Sequence, residues 1–267
     1  MRTLLNLLFG TCFFLGQVAS LCAQQPPPVP PPTSPDAPVM IVGTPPPPPP
    51  PPDWCGSVEF GLSGAEGNSQ LFKLRAAATA KYETKEHLFK NEFLYAFANA
   101  NNERTENRAL LTSRYERLLG DTPWSIFVRG ELLYDEFTAY DARIGLHAGL
   151  SYTFLKNDTT LFKARVGAGA SREIGGPENR VMPEGLLGAD FEHKFTERQK
   201  FAANVDFFPD FGEFGEYRAE IRACYEILVD PEWNLTFKVG LLDRYDSTPE
   251  GRKPNDIEYF GLLVWKF

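Results

Sequence analysis

The chain ends with the stretch Ile257-Glu258-Tyr259-Phe260-Gly261-Leu262-Leu263-Val264-Trp265-Lys266-Phe267. Every second residue counted back from Phe267 is aromatic, aliphatic or glycine, whereas Glu258 and Lys266 lie on the other phase. A period of two places successive side chains on opposite faces of a strand. The stretch therefore predicts a β-strand with one apolar, aromatic face.

The same alternation recurs along the chain from Trp54 onward. In Arg143–Phe154, for example, Ile144 and Leu146 share one face while Arg143 and His147 share the other. A helix would not sustain strict alternation over so many residues. Twelve such stretches are predicted as strands, at 54–65, 69–82, 88–100, 107–119, 124–136, 142–155, 160–173, 183–195, 200–208, 216–229, 233–245 and 257–267.

The breaks between these strands alternate in length, short at Gly120–Pro123 and Thr196–Gln199 but longer at Asn101–Glu106 and Asp246–Asp256. Membrane barrels from bacteria have an even number of strands, short turns on the periplasmic side and longer loops outside. The pattern predicts an all-β fold, a transmembrane antiparallel up-and-down β-barrel of about twelve strands over 54–267. A soluble barrel or sandwich is the alternative, but its apolar face would point inward. Aromatic residues at strand ends on the apolar face, such as Trp124, Trp233 and Tyr245, favour the membrane barrel instead.

The N-terminal segment predicts export from the cytoplasm. Arg2 precedes an apolar run at 4–18, and small residues follow, which is typical of a secretory signal peptide over 1–23. Cleavage after Ala23 is preferred, and cleavage after Ser20 stays open. Lipidation at Cys22 is the weaker alternative, because Leu21 stands where a small residue is wanted.

Residues 24–53 are predicted to form a proline-rich periplasmic linker. Sixteen of the 23 prolines lie between Pro26 and Pro52. Such a segment cannot pack a core and favours extended polyproline II. It is interpreted as a tether, or as an arm that contacts the cell wall or another periplasmic protein.

The expected partners follow from the same features. Tyr259, Trp265 and Phe267 are expected to form an assembly signal for the barrel-assembly machinery, because a strand ending on an aromatic residue resembles the last strand of bacterial outer-membrane barrels. The protein is thus expected in the bacterial outer membrane, in contact with outer-membrane lipids. The net charge of −8 argues against nucleic acid as a partner. We predict no cofactor and no metal site, since no nucleotide-binding loop and no metal-ligand spacing occur.

Several short motifs occur in a fixed order along the barrel region. They are Gly61-Leu62-Ser63 with Gly67-Asn68, Tyr134-Asp135-Glu136-Phe137, Asp141-Ala142-Arg143, Arg244-Tyr245-Asp246 with Pro249, and the final Phe267. In these the region resembles a family of outer-membrane barrels of unknown function, whose members are often labelled salt-induced outer-membrane proteins. The resemblance implies location and fold, and it implies no reaction.

The polar face of the strands is expected to line the lumen, with both signs of charge. This predicts either a barrel that is propped by salt bridges and has a structural role, or a narrow solute or ion pore with a slight preference for anions. The singled-out charges are Lys73, Arg75, Arg114, Arg129, Arg165, Arg218, Glu220 and Arg222.

A second candidate site lies at the predicted outer mouth, where Asp135, Glu136, Asp141 and Arg143 form a charged cluster. Oxygen-rich clusters suit hard divalent cations. The preferred interpretation is a loop clasp in which Arg143 pairs with Asp135 across the hairpin.

Two other function classes are alternatives to the structural or pore interpretation. An outer-membrane lipid-modifying hydrolase would need a nucleophile beside an oriented base. His147 faces the predicted lumen, but Ser151 is about 13 Å further along an extended strand. No catalytic residue is therefore predicted. A surface or cell-wall binding and anchoring protein is the other alternative, based on the proline-rich arm.

Overall fold

The computed structural model describes residues 54–67, 70–177, 179–213, 215–249 and 253–267. The predicted signal peptide and proline-rich linker lie outside these described residues. No helix in the described part of the chain is long and apolar enough to cross a membrane.

Twelve β-strands make up the barrel, as the alternation predicted. Each runs antiparallel to its neighbours in chain order, in an up-and-down arrangement. The all-β class and the strand number are therefore confirmed. The strands are β1 (Trp54–Ala65), β2 (Leu71–Glu83), β3 (His87–Ala100), β4 (Glu103–Leu118), β5 (Trp124–Asp135), β6 (Ala142–Lys156), β7 (Thr160–Ile174), β8 (Val181–Thr196), β9 (Gln199–Pro209), β10 (Tyr217–Asp230), β11 (Leu235–Asp246) and β12 (Asn255–Lys266).

The sheet closes where β1 pairs with β12. This seam is short, because it consists of four registered pairs, from Ser57↔Lys266 to Phe60↔Leu263. By contrast, β1 pairs with β2 along its whole length, from Trp54↔Tyr82 to Ala65↔Leu71. Closure removes the free strand edges that lipid would not tolerate.

The two faces of the wall differ sharply in exposure. On β5, Ile126 and Val128 are 46% and 41% exposed, whereas Phe127 and Arg129 are 0% and 5% exposed. Aliphatic and aromatic side chains thus point outward, and the lumen receives the other phase, which holds most of the charges. This is the arrangement of a barrel in lipid and the reverse of a soluble one.

One predicted outer loop is wrong. Asn101–Glu106 was expected to connect β3 and β4, but β4 begins at Glu103 and only Asn101 and Asn102 form the turn. Both have positive φ, at 52° and 64°, as a two-residue type I′ hairpin requires. Asparagine tolerates this conformation better than most residues. The polar residues after it therefore extend a hairpin rather than a loop.

Glycines let β6 and β7 approach each other closely. A Cβ at Gly149 would collide with the carbonyl oxygen of Val166, and one at Gly169 would collide with the carbonyl oxygen of Leu146. A Cβ at Gly167 would also lie 3.0 Å from the ring of Phe127. On this side of the lumen, the backbones of β6 and β7 therefore pack directly against each other. The Phe127 ring occupies the space that a side chain at Gly167 would need.

Candidate functional site

The lumen is the candidate site, because the predicted charged residues meet there. All eight singled-out charges lie on the inward phase of their strands. Lys73 is exposed near the outer end of β2, and Arg129 and Arg165 are buried. Arg75, Arg114, Arg129, Arg165 and Arg218 pair with other carboxylates of the lumen, and Arg222 pairs with Glu220.

The inward residues of β4–β9 form a dense set of ion pairs, here called the β4–β9 half. Arg165 pairs with Asp190 and lies 2.8 Å from Asp206. Arg114 on β4 reaches Asp190 on β8 at 3.2 Å, four strands away. The Arg114 bridge therefore crosses the lumen, whereas the Arg165 bridges run along the wall from β7 to β8 and β9.

Two further ion pairs belong to this half. Lys163 on β7 lies 2.6 Å from Glu116 on β4, and Arg129 lies 2.8 Å from Glu131. The Arg129 guanidinium also approaches Asp206 at 3.9 Å. Removing one partner from such a buried pair leaves the other charge buried and unpaired, which is strongly destabilising. The stability of each charged group in this set therefore depends on the presence of its partners.

An apolar cluster of Phe127, Leu186 and Phe208 lies among these charges. The guanidinium groups of Arg129 and Arg218 lie 5.2 and 5.0 Å from the centroid of the Phe208 ring, on which cation–π attraction acts. Sequence reasoning missed this cluster because it assigned the lumen to polar residues. A signal was present, since Phe127 interrupts the alternation between Ile126 and Val128.

His147 belongs to a buried polar network around Glu184. Its Nε2 lies 3.2 Å from a Glu184 carboxylate oxygen, which also accepts a hydrogen bond from Arg218. The other carboxylate oxygen accepts a hydrogen bond from Ser171 Oγ at 2.7 Å. The His147 ring packs 5.2 Å from Phe208, between centroids. The His147 side chain is thus fixed among the residues that fill the lumen. The Ser151 hydroxyl has no hydrogen-bond partner among the described residues.

A cavity of about 260 Å³ opens at the outer mouth, where the longer loops gather. Leu110, Phe208 and Leu242 line it together with Tyr140 from the β5–β6 loop. Burial raises the pKa of the Tyr140 phenol, which keeps it neutral. Among the described residues, nine carboxylates and five basic side chains line this cavity, so their combined field favours cations.

The predicted mouth cluster is divided among separate places. Asp135 and Arg143 both line the outer cavity, but Arg143 pairs with Glu173 on β7 and lies 3.7 Å from Asp246. The predicted clasp between Arg143 and Asp135 is replaced by these contacts. The Asp135 carboxylate instead accepts a hydrogen bond from the backbone N–H of Phe137, at 3.0 Å.

The other two members of that cluster lie away from this cavity lining. Glu136 points outward and pairs with Arg104 at 2.6 Å. A hydrogen bond from Asn107 and the Arg104 guanidinium lower the pKa of Glu136. Asp141 lies against Gly175, where a Cβ would meet its carboxylate. In the described residues, no group of three or more His, Cys, Asp or Glu side chains is arranged to hold a metal ion.

A second, smaller cavity of about 50 Å³ lies deeper, mainly among residues of β10–β12 and β1–β3, whose inward residues are here called the β10–β3 half; Leu110 and Thr112 of β4 also line it. Arg222, Lys238, Glu59 and Glu92 line it, and Lys238 pairs with Glu59 at 2.8 Å. Of the residues that line either cavity in the described chain, only Leu110 lines both.

The proposed assembly-signal residues lie at the outer surface of β12. Tyr259 is strongly exposed, and Trp265 is exposed on the same phase. Phe267 follows the end of the strand. Their recognition by an assembly machinery stays a prediction.

Outward apolar walls, closure over twelve antiparallel strands and a charged interior define the class, a membrane-type β-barrel. The chain belongs to the family described as "Protein of unknown function, DUF481", which matches residues 58–267. No curated protein matches it in sequence.

Several solved structures share the barrel architecture at low identity. A NanC porin is 13% identical, with a TM-score of 0.45, over 79% of this chain and 98% of that one. A bacterial polysaccharide outer-membrane secretin is 6% identical, with a TM-score of 0.39, over 80% and 97%. A Pseudomonas aeruginosa FadL homologue is 9% identical, with a TM-score of 0.30, over 80% and 74%. At such scores, the chain's own closure and charged lumen are what characterise it.

Proposed function

We propose that this chain is an integral outer-membrane barrel whose resting lumen is closed by ion pairs, and that its resting role is structural. The observation that carries the proposal is the set of bridges between strands three to five positions apart. The Arg222 to Glu92 bridge spans five strands, from β10 to β3, at 3.9 Å. An open water-filled channel would hydrate the groups that form such bridges, whereas Glu116, which Lys163 bridges across three strands at 2.6 Å, and Arg165 are fully buried.

The outward wall supports a location in lipid. Exposed Leu146 and Val166 on the middle strands, and Trp233 and Tyr259 toward the strand ends, give an apolar band with aromatic margins. In water such a surface would far exceed the apolar patches that soluble monomers expose. Outer-membrane lipids are therefore the proposed partner of the wall. Export through the N-terminal segment and assembly through the terminal aromatic residues are parts of the same proposal.

Planar-bilayer recording of the purified full chain tests the closed state. We expect no steady single-channel steps under conditions in which an open porin of similar strand number, added to the same bilayer, gives them. Regular open steps from the unmodified protein would overturn the closed lumen.

Cell fractionation tests the location separately. We expect the protein in the outer-membrane fraction and resistant to extraction with alkaline carbonate. Recovery in the soluble periplasmic fraction would contradict the membrane assignment, whatever the bilayer recordings give.

A further inference from the structure

We propose that the lumen contains a gated path for small inorganic cations on its β10–β3 half, and that Arg222 is the gate. The inference rests on the proposed closed membrane barrel and adds a route and a solute class. It follows from the position of the two cavities, the hydration of their ion pairs and the contacts of one guanidinium group.

The two cavities share a lining residue, Leu110: strands from β4 round to β12 line the outer cavity, and the deeper cavity lies mainly on the β10–β3 half. The outer cavity includes Glu220 in its lining, and the deeper cavity includes Glu92 and Arg222. Leu110 lines both, so its side chain forms part of the barrier between them, here called the septum.

Arg222 lines the deeper cavity, and its contacts place it beside this septum. Its guanidinium donates to Glu220 at 2.8 Å and approaches Glu92 at 3.9 Å. It therefore links one carboxylate from each cavity. A guanidinium in this place acts as a tethered cation at a position where a passing cation would otherwise meet two successive carboxylates.

Hydration separates this route from the rest of the lumen. The Arg222 and Glu92 side chains are 28% and 34% exposed, whereas Arg165 and Glu116 in the β4–β9 half are 0% exposed. A partly hydrated pair at 3.9 Å is held weakly. A fully buried pair resists separation because each charge would be stranded. Separating Arg222 from Glu92 therefore costs less than separating Arg165 from its partners, whereas Lys238 and Glu59 beside the same deeper cavity are 14% and 10% exposed and stay paired.

The solute class follows from charge and size. Among the described residues, nine carboxylates against five basic groups line the outer mouth, which raises the local concentration of cations. The deeper cavity is lined by three basic groups and two carboxylates, so the loss of Arg222 balances its charge and leaves the outer mouth to set the preference. The deeper cavity, at about 50 Å³, admits a small ion and excludes larger organic solutes. This preference is opposite in sign to the slight anion preference that the basic early strands suggested.

The decisive experiment compares Arg222→Ala with Arg218→Ala by single-channel recording in a KCl gradient. Both changes remove the same side chain from β10, but Arg218 pairs with Glu184 and lies over Phe208, outside the septum. We expect Arg222→Ala to show at least tenfold more open events than the unmodified chain. The reversal potential of these openings should be shifted toward the equilibrium potential of K⁺ and away from that of Cl⁻. Arg218→Ala is expected to stay closed. Heat-modifiable migration on gels checks that each variant is a folded barrel.

Each other outcome counts against the proposal. A folded Arg222→Ala that opens no more often than the unmodified chain, or an Arg218→Ala that opens as often, overturns the route. Anion selectivity overturns the solute class. If Arg222→Ala does not fold, Glu92→Gln and Leu110→Ala test the same septum, and the absence of new openings in both is equally decisive. Steady conduction by the unmodified chain would overturn the closed resting state alone, because the difference between the two arginine variants still locates the route.

Discussion

The β4–β9 and β10–β3 halves of the lumen contain the same kinds of charged residues, yet water reaches them to different extents. In the first half, Arg165 and Glu116 are fully buried, and Phe127 packs among the ion pairs against a glycine-rich wall. In the second, Arg222 and Glu92 border a cavity and keep part of their hydration. The energetic weight of a salt bridge depends on this burial far more than on its length. One lumen thereby combines fully buried ion pairs, which resist separation, with the partly hydrated Arg222–Glu92 pair, which separates at a lower cost.

The largest expected effect is the loss of Arg165. Arg165→Ala leaves Asp190 and Asp206 without their shared cation, which should lower the free energy of unfolding by about 3–5 kcal/mol. Arg222→Ala, in the more hydrated half, should cost less than about 1 kcal/mol. Urea titration in liposomes, followed by tryptophan fluorescence, measures both. Equal losses would abolish the distinction between the halves.

A smaller effect is expected from the glycines that shape the β4–β9 half. Gly149→Ala puts a methyl group into the backbone of β7 and should destabilise the barrel by about 1–3 kcal/mol. Gly130→Ala is the matched control, because a Cβ there meets nothing within 4 Å. Its cost should stay within about 0.5 kcal/mol. The same urea titration measures both free energies of unfolding. If Gly149→Ala costs no more than Gly130→Ala, the close approach of β6 and β7 is not rigid.

The smallest effect is expected at the rim, outside both halves. The pKa of Glu136 is lowered in the folded barrel by Asn107 and Arg104, so its contribution is complete above its ordinary pKa and is lost as the pH falls through the lowered one. Glu136→Gln should therefore remove a slight stability difference between pH 7 and pH 3, and should do so less in high salt. The check is the pH dependence of the urea midpoint, with Gly130→Ala as the control. If the pH profile of Glu136→Gln is the same as that of the unmodified chain, the Arg104 and Asn107 contacts of Glu136 do not contribute to stability.

Much of the fold could be predicted because it depends on local alternation. The period of two fixed the number of strands, and the phase of Ile126 or Leu146 already indicated which face meets lipid. The turn at Asn101 and Asn102 was missed because the polar residues after it look like a loop when only hydropathy is considered.

The arrangement of the site was not predictable from spacing. Arg114 and Asp190 are 76 residues apart in the chain, and Arg108 and Glu258 are 150 apart. Which charges meet across the lumen depends on barrel closure and strand tilt, which no local pattern encodes. Even between adjacent strands the choice of partner was missed, because Arg143 pairs with Glu173, its register partner on β7, rather than with Asp135, which is nearer in sequence.

The four-pair seam between β1 and β12 has a kinetic consequence. It joins segments about 200 residues apart, so its formation carries the largest loop-closure cost in the barrel and returns the fewest ladder hydrogen bonds. We therefore expect it to form last during insertion, after the β2–β11 strands have paired with their neighbours. Until then the chain is a curved sheet with two free edges, and the same short ladder is where a finished barrel would first separate sideways.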